Sequence, residues 1–359
     1  MKIRSVQILR GIAAIAVVLT HIYFWEGKHL GAQAITPKSF SYGFAGVDVF
    51  FVISGFIMVF IQPSPINSRV VYFRFVINRL TRIYPPVWIV MMALLPLWLF
   101  HPELFNNYYH NHIDILRSFL LLPQDYMPLL AVAWTLIHEV YFYLVVSFAL
   151  MFATGGRWIF GGIWFLIILT VYSLLGESGF GQIRILQLVF SPFSMTFLLG
   201  YFIGLLYHQI KKASPSLASG LFVVGAATMA FGLIVPWPCP LGVYPDNNCL
   251  FRFVACGLPA ALLVASAIAL ESRLPKLILR LDFLGDISYA TYLIHLPFVT
   301  GFYIMLSKLH LNSPALIAVA ALVCLVSCLM TSAVFHYCLE LKITRICRET
   351  LENYFQLQK

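Results

Sequence analysis

Long apolar runs alternate with short polar segments along the whole chain. Ten of these runs approach the ~20 residues that an α-helix needs to cross a bilayer. We place them at residues 6–25, 44–62, 84–100, 134–153, 158–176, 192–208, 218–236, 252–270, 287–306 and 315–338. The pattern therefore predicts an all-α polytopic membrane protein with about ten transmembrane helices. We assign residues 1–340 to a single membrane domain and residues 341–359 to a short basic tail.

Composition indicates that lipid is the main solvent. Of the 359 residues, 61% are hydrophobic and 10% are charged, whereas soluble domains carry about 25% charged residues. The net charge of +9 does not indicate a nucleic-acid partner, because the cations lie between apolar runs rather than on one face. The basic and then apolar N-terminus has no small-residue cleavage pattern after it, so we interpret it as an uncleaved first helix.

The distribution of Lys and Arg predicts the topology. With a cytoplasmic N-terminus, 17 of the 23 cationic residues lie on the cytoplasmic side, which is the bias of the positive-inside rule. The six that face outward are Lys28, Lys38, Arg117, Arg184, Arg252 and Lys308. We therefore expect both termini in the cytoplasm. The outward loop 237–251 contains Cys239 and Cys249, and whether they form a disulfide stays open.

Two ionisable residues share one face of the first helix. Arg10 and His21 are 11 residues apart, about three helical turns, so their side chains point the same way with a rise of about 16 Å. Ionisable groups inside a bilayer cost about 2.5–3.5 kcal/mol each on insertion scales. The stripe therefore predicts a polar path that runs from one membrane face towards the other.

Two carboxylates are expected at the depth of His21. Asp48 in the second helix and Glu139 in the fourth both lie a few residues below the predicted outer ends of their helices, with His138 beside Glu139. A histidine next to a carboxylate is typical of a general base and its orienting acid. We predict His21, Glu139 and Asp48 as catalytic residues, with separate structural pairing of each group as the alternative and no role assigned to His138.

Arginines collect near the opposite, inner face. Arg79 and Arg82 in NRLTRIYPP are three residues apart, and Arg10 is expected at a similar depth. On a helical turn that ends at the proline pair, the two guanidinium groups form a two-pronged site suited to phosphate oxygens. The alternative is that these arginines only determine topology.

The ninth helix adds a third polar stripe. Ser288, Tyr292 and His295 follow the i, i+4, i+7 spacing in DISYATYLIHLPF, so we predict contact with a bound ligand or with another helix. His110 and His112 form one H-x-H on a loop, which is weak support for a metal, and we expect no metal site.

Five segments together resemble one family. They are Arg10 with His21, GFAGVDVFFVISGFIM, RLTRIYP, WTLIHEVYFYL and GDISYATYLIHLP, and they span residues 4 to about 298. In these motifs and in their order the chain is similar to the acyltransferase-3 family of integral membrane acyltransferases, most of which are bacterial and modify cell-surface glycans.

The resemblance implies an O-acyltransferase of the bacterial cytoplasmic (inner) membrane that uses acyl-coenzyme A, most simply acetyl-CoA. It implies that Arg10 and His21 are essential and that the inner arginines hold the donor. We expect the donor to be bound by six residues, which are Arg10, Arg79, Arg82, Ser288, Tyr292 and His295. The acceptor would be a surface polysaccharide or a lipid-linked sugar, and transfer could be direct or through an acyl-His21 intermediate.

Two departures from the family pattern and two other functions stay open. Thr135 and His138 stand within a motif that often reads W-S-L-x-x-E in the family. Many relatives carry a C-terminal SGNH hydrolase-like domain, and we expect this chain to belong with the stand-alone members that do not. A secondary transporter or flippase of lipid-linked sugar would also place ionisable groups in the membrane. A transmembrane acyl-relay partner would bind acyl-CoA without acylating a glycan.

Overall fold

The chain forms a bundle of long helices. The computed structural model describes residues 2–31, 34–105, 112–176, 178–180, 183–235, 250–309 and 313–355. These residues include ten helical stretches long and apolar enough to cross a membrane, and they contain no β-strand, which confirms the predicted fold class. The stretches, named α1 to α10, are Arg4–Leu30, Lys38–Phe60, Arg69–Phe100, Ala131–Ala149, Thr154–Leu175, Arg184–Leu205, Pro215–Ile234, Leu250–Arg273, Ser288–Ser307 and Pro314–Tyr354.

Helix α3 departs most from its predicted bounds. The expected break at Pro85 and Pro86 is wrong, because α3 is continuous through both prolines and through Pro96. Each proline removes one backbone hydrogen bond, a loss that membrane helices tolerate where neighbouring helices surround them. Pro85 and Pro86 are both buried. Arg79 and Arg82 therefore lie on the same rigid helix rather than on a separate turn.

Helices α2 and α6 approach each other closely through glycine. A Cβ atom on Gly55 would lie 2.0 Å from the carbonyl oxygen of Phe197, and one on Gly200 would lie 1.9 Å from that of Val52. Small residues allow this backbone approach in membrane helices, where packing rather than water exclusion drives association. The contact holds α2, which carries Asp48, against the centre of the bundle.

The N-terminus of α1 is anchored to the C-terminal end of α8 and to the segment that follows it. The Glu271 carboxylate accepts hydrogen bonds from the backbone N–H groups of Arg4 and Ser5 at 3.0 and 2.7 Å. This satisfies N–H groups that a helix end leaves without partners. Lys2 adds an ion pair to Asp282 at 2.9 Å. The start of the Arg10–His21 stripe is thereby held in position.

Helix α10 extends into the predicted tail. A π-helical turn, His336–Glu340, joins the apolar helix Pro314–Phe335 to the polar helix Leu341–Tyr354, which contacts α3. Two sequence-derived candidates, His110 and the pair Cys239 and Cys249, lie outside the described residues.

Candidate active site

The Arg10–His21 stripe of α1 faces the inside of the bundle. Arg10 lines a cavity of about 50 Å³ between α1, α2, α3, α4 and α9. The His21 ring meets the ring of His295 from α9. Both ends of the stripe therefore contact protein rather than lipid, as the shared helix face predicts.

The cavity beside Arg10 carries an excess of positive charge. Arg79 and Arg82 of α3 line it together with Arg10, and Glu139 of α4 is the only acidic residue among the described residues of its lining. No ion pair within 4.0 Å joins Glu139 to a described arginine, and the Arg79 Nε atom has no hydrogen-bond partner among the described residues. Buried charge without a counter-charge is costly. We call this cavity the arginine cavity; its charge suits an anionic ligand.

Glu139 belongs to the arginine cavity and not to His21. Its carboxylate accepts a hydrogen bond from Ser54 of α2 at 2.7 Å and a second from the Tyr143 hydroxyl one turn along α4. The predicted contact between Glu139 and His21 is therefore wrong, because the carboxylate is satisfied by hydroxyl groups near Arg10. Those hydroxyl groups hold the charge of Glu139 at a fixed position among the arginines.

Asp48 has a different partner from the one expected. Its carboxylate pairs with the Arg252 guanidinium at 2.9 Å, and the two side chains are 0% and 2% exposed. The guanidinium also lies over the rings of Phe44 and Phe193, with centroid distances of 5.0 and 5.1 Å. The predicted contact of Asp48 with His21 is wrong, because its carboxylate is paired with Arg252, which is enclosed between α2, α6 and α8.

The partner of His21 is a second histidine. The ring centroids of His21 and His295 are 4.8 Å apart in an edge-to-face arrangement. His21 donates from Nδ1 to the carbonyl of Val17 at 2.9 Å, and His295 donates from Nδ1 to the carbonyls of Thr291 and Tyr292 at 3.1 and 2.8 Å. Because a carbonyl oxygen only accepts, a neutral ring of either residue has its lone pair on Nε2.

We call these two rings the histidine pair, and one of them leaves its basic nitrogen unused. His295 is fully buried, and its Nε2 atom has no hydrogen-bond partner among the described residues. Buried polar atoms are rarely left in this state, and such exceptions mark candidate functional groups. The prediction placed His295 on the donor path, and the structure places it directly beside the predicted catalytic base.

Tyr292 separates the histidine pair from the arginine cavity. Its side chain lines the cavity, its ring lies 5.7 Å from the ring of His295, and its hydroxyl forms a 2.7 Å hydrogen bond with Thr135 and a 3.0 Å bond to the carbonyl of Val132. Ser288, the third member of the predicted stripe, donates to the carbonyl of Gly285 at 2.6 Å. Its hydroxyl stabilises the start of α9 and does not line the cavity.

Several residues of the site were not identified from the sequence. Tyr143 follows Glu139 by four residues, so the helical period of α4 could have found it. Ser54 and Tyr289 carry no such signal, because they reach the cavity from other helices. His138 is buried against Phe193 and has an Nδ1 atom without a partner in the described part of the chain, and nothing in its surroundings explains its presence.

Sequence comparison identifies the family of this chain. A family model described as an acyltransferase domain matches residues 3–333. The exopolysaccharide production protein ExoZ of Rhizobium meliloti (strain 1021) is 30% identical over 271 residues, which cover 72% of this chain and 78% of ExoZ.

A second relative matches over a shorter region. The peptidoglycan O-acetyltransferase OatA of Listeria monocytogenes serovar 1/2a (strain ATCC BAA-679 / EGD-e) is 30% identical over 106 residues, 29% of this chain and 15% of OatA. No solved structure matches the chain significantly. The family match covers every one of the sequence motifs and the stretch that contains both the arginine cavity and the histidine pair, and the chain belongs to the acyltransferase-3 family.

Proposed function

We propose that this protein is a membrane O-acyltransferase that moves an acetyl group from cytoplasmic acetyl-CoA to a hydroxyl of a glycan on the outer side of the membrane. The observation that carries the proposal is the arginine cavity, where three guanidinium groups meet one carboxylate. A phosphate-bearing donor supplies the missing negative charge, and guanidinium forks bind phosphate oxygens in two-point fashion. The names of ExoZ and OatA make a glycan the natural acceptor class.

The donor lies along the Arg10–His21 stripe. Its phosphates bind Arg10, Arg79 and Arg82, and its thin pantetheine arm extends along α1 over the ~16 Å between Arg10 and His21. The arginine cavity of about 50 Å³ is too small for this arm as it stands. Donor binding therefore displaces the Tyr292 side chain from its hydrogen bond to Thr135.

His21 acts as the general base. The acceptor hydroxyl gives its proton to Nε2 of His21 as its oxygen attacks the thioester carbonyl carbon; the new C–O bond forms and the C–S bond breaks. The CoA thiolate leaves and takes up the proton from His21, which returns the ring to its neutral state. The backbone bond of Nδ1 to Val17 keeps Nε2 as the basic atom. His295 stabilises the protonated ring from the side.

A transfer assay in cells and membranes tests the proposal. A strain that lacks the gene is complemented with wild-type protein, His21→Ala or His208→Ala, and the acetyl content of its surface glycan is measured by mass spectrometry. His208 is exposed on a short helix after α6, so its variant controls for loss of an imidazole as such. Membranes from the same strains are given radiolabelled acetyl-CoA to follow transfer directly.

We expect label in the glycan fraction from wild-type and His208→Ala membranes and none from His21→Ala membranes, at equal protein levels. Transfer by His21→Ala at the wild-type rate would refute the assignment of His21 as the general base. Glycan acetylation that is unchanged when the gene is deleted would end the proposed function. Bound label on the protein without any in the glycan would instead indicate an acyl-relay partner.

A further inference from the structure

A second and larger cavity lies beyond the histidine pair. It has a volume of about 340 Å³ and is enclosed by the C-terminal end of α1, the C-terminal end of α3, the middle of α9 and the segment 127–131. We call it the lateral cavity. Its walls include Leu296 and Pro297, which directly follow His295, and Trp25, one turn after His21. Along both α1 and α9, the histidine pair therefore lies between the residues that line the two cavities.

The lining of the lateral cavity is mostly apolar, and part of it is exposed on the outside of the bundle. Leu94, Leu97 and Leu104 form part of its wall, and Pro297 and Ile304 of α9 form another part. Leu97 and Leu104 remain 42% and 40% exposed, so this wall borders the outside of the bundle, where lipid surrounds a membrane protein. A glycan needs hydrogen-bond donors and acceptors, which these side chains lack, so the lining suits a hydrocarbon chain.

One cation stands in the wall of the lateral cavity. The Lys28 ammonium lies 4.5 Å from the centroid of the Trp25 ring, and both residues line the cavity. Lys28 forms no ion pair with any described residue. A lysine next to an apolar cavity offers a point charge to an anionic group, while the hydrocarbon part of the same ligand fills the cavity.

We propose that the lateral cavity binds the lipid tail of the acceptor, and that the acceptor is a sugar joined through phosphate to a polyisoprenyl chain. The inference rests on the proposed function, because the histidine pair defines where the acceptor hydroxyl must lie. In this arrangement the isoprenoid chain enters from the membrane past Leu97, the phosphate meets Lys28, and the sugar reaches His21. A long acyl chain of the donor would fill the cavity but would leave Lys28 without an anion.

A photolabelling experiment tests this binding site without requiring transfer. The probe is farnesyl phosphate with a diazirine at the end of its tail, applied to purified protein in detergent, and labelled peptides are mapped by mass spectrometry. The cavity is filled with Gly301→Phe, since a Cβ atom on Gly301 meets no atom within 4 Å. Gly220→Phe on α7 is the matched control, because Gly220 is also helical and open but lies away from the cavity.

We expect labels on the peptides of α3 and α9 that line the cavity. Labelling should fall at least about tenfold in Gly301→Phe, because the introduced ring takes the place of the buried chain, and should stay unchanged in Gly220→Phe. With wild-type protein, unlabelled farnesyl phosphate should displace the probe better than farnesol does. With Lys28→Gln, farnesyl phosphate and farnesol should displace the probe equally well. CoA binding by Gly301→Phe should match the wild type, which separates failure at this site from failure of the proposed donor site.

Three results would overturn the proposal. Equal labelling of Gly301→Phe and wild type would show that the probe binds elsewhere. Equal competition by phosphatidylglycerol and farnesyl phosphate would assign the cavity to bulk lipid. Competition by palmitoyl-CoA but not by farnesyl phosphate would assign it to the acyl chain of the donor.

Discussion

Replacement of Arg79 by alanine separates a ligand-binding role of the arginine cavity from a structural role. Arg79 has an unpartnered Nε atom and lines the cavity together with Arg10 and Arg82. In the free protein its removal relieves repulsion among three like charges, so we expect an unfolding temperature no lower than that of the wild type. In the complex it removes a guanidinium from the donor phosphates, so we expect weaker binding.

The size of the binding defect follows from the hydrogen bonds that a guanidinium donates to phosphate and alanine cannot. A hydrogen bond to a charged group contributes about 1.5–3 kcal/mol, and about 1.4 kcal/mol changes a dissociation constant tenfold, so Kd for CoA should rise roughly 10- to 100-fold. Arg79→Lys should recover part of this affinity, since lysine keeps the charge but not the planar fork. Dephospho-CoA, which has one phosphate fewer, should bind both proteins less tightly than CoA if that phosphate also contacts the cavity.

The assay is a thermal-shift titration with CoA in detergent, confirmed by isothermal calorimetry. Arg69→Ala is the control, because Arg69 lies on the same helix but is exposed at its first turn, outside the cavity. The reasoning is refuted if Arg79→Ala binds CoA as the wild type does. It is also refuted if the ligand-free variant unfolds at a clearly lower temperature, since Arg79 would then be part of the packing of the bundle.

Three further outcomes follow from the structure. Asp48→Asn should lower the free energy of unfolding by about 3–5 kcal/mol, because it leaves Arg252 buried without a counter-charge. The double variant Asp48→Leu/Arg252→Met should regain folding and keep the transfer rate per folded molecule. Loss of transfer in a well-folded double variant would restore a catalytic role for Asp48. Gly55→Ala should sharply reduce the yield of folded protein in size-exclusion chromatography, because its Cβ would overlap a facing carbonyl, whereas Gly220→Ala should not. Equal yields of the two variants would contradict this packing. His295→Ala should lower the transfer rate by about 10²-fold while CoA affinity stays unchanged; a raised KM for acetyl-CoA at constant kcat would return His295 to the donor path.

Some of the site could be predicted because it lies on one helix. The period of α1 places Arg10 and His21 on a common face, and length and hydropathy alone identify ten spans. The same local reasoning found Tyr292 and His295 on α9. Each of these inferences compares residues within a single helix, whose geometry is independent of its neighbours.

Partners across helices could not be predicted. Depth along the chain placed Asp48 and Glu139 beside His21, but the bundle pairs Asp48 with Arg252 and places Glu139 among the arginines. In a soluble protein an apolar stripe marks the inward face of a helix. In a membrane protein the lipid is as apolar as the core, so hydrophobic periodicity does not tell which face meets which neighbour. Close glycine contacts and buried polar pairs decide that arrangement, and they exist only once the helices have packed.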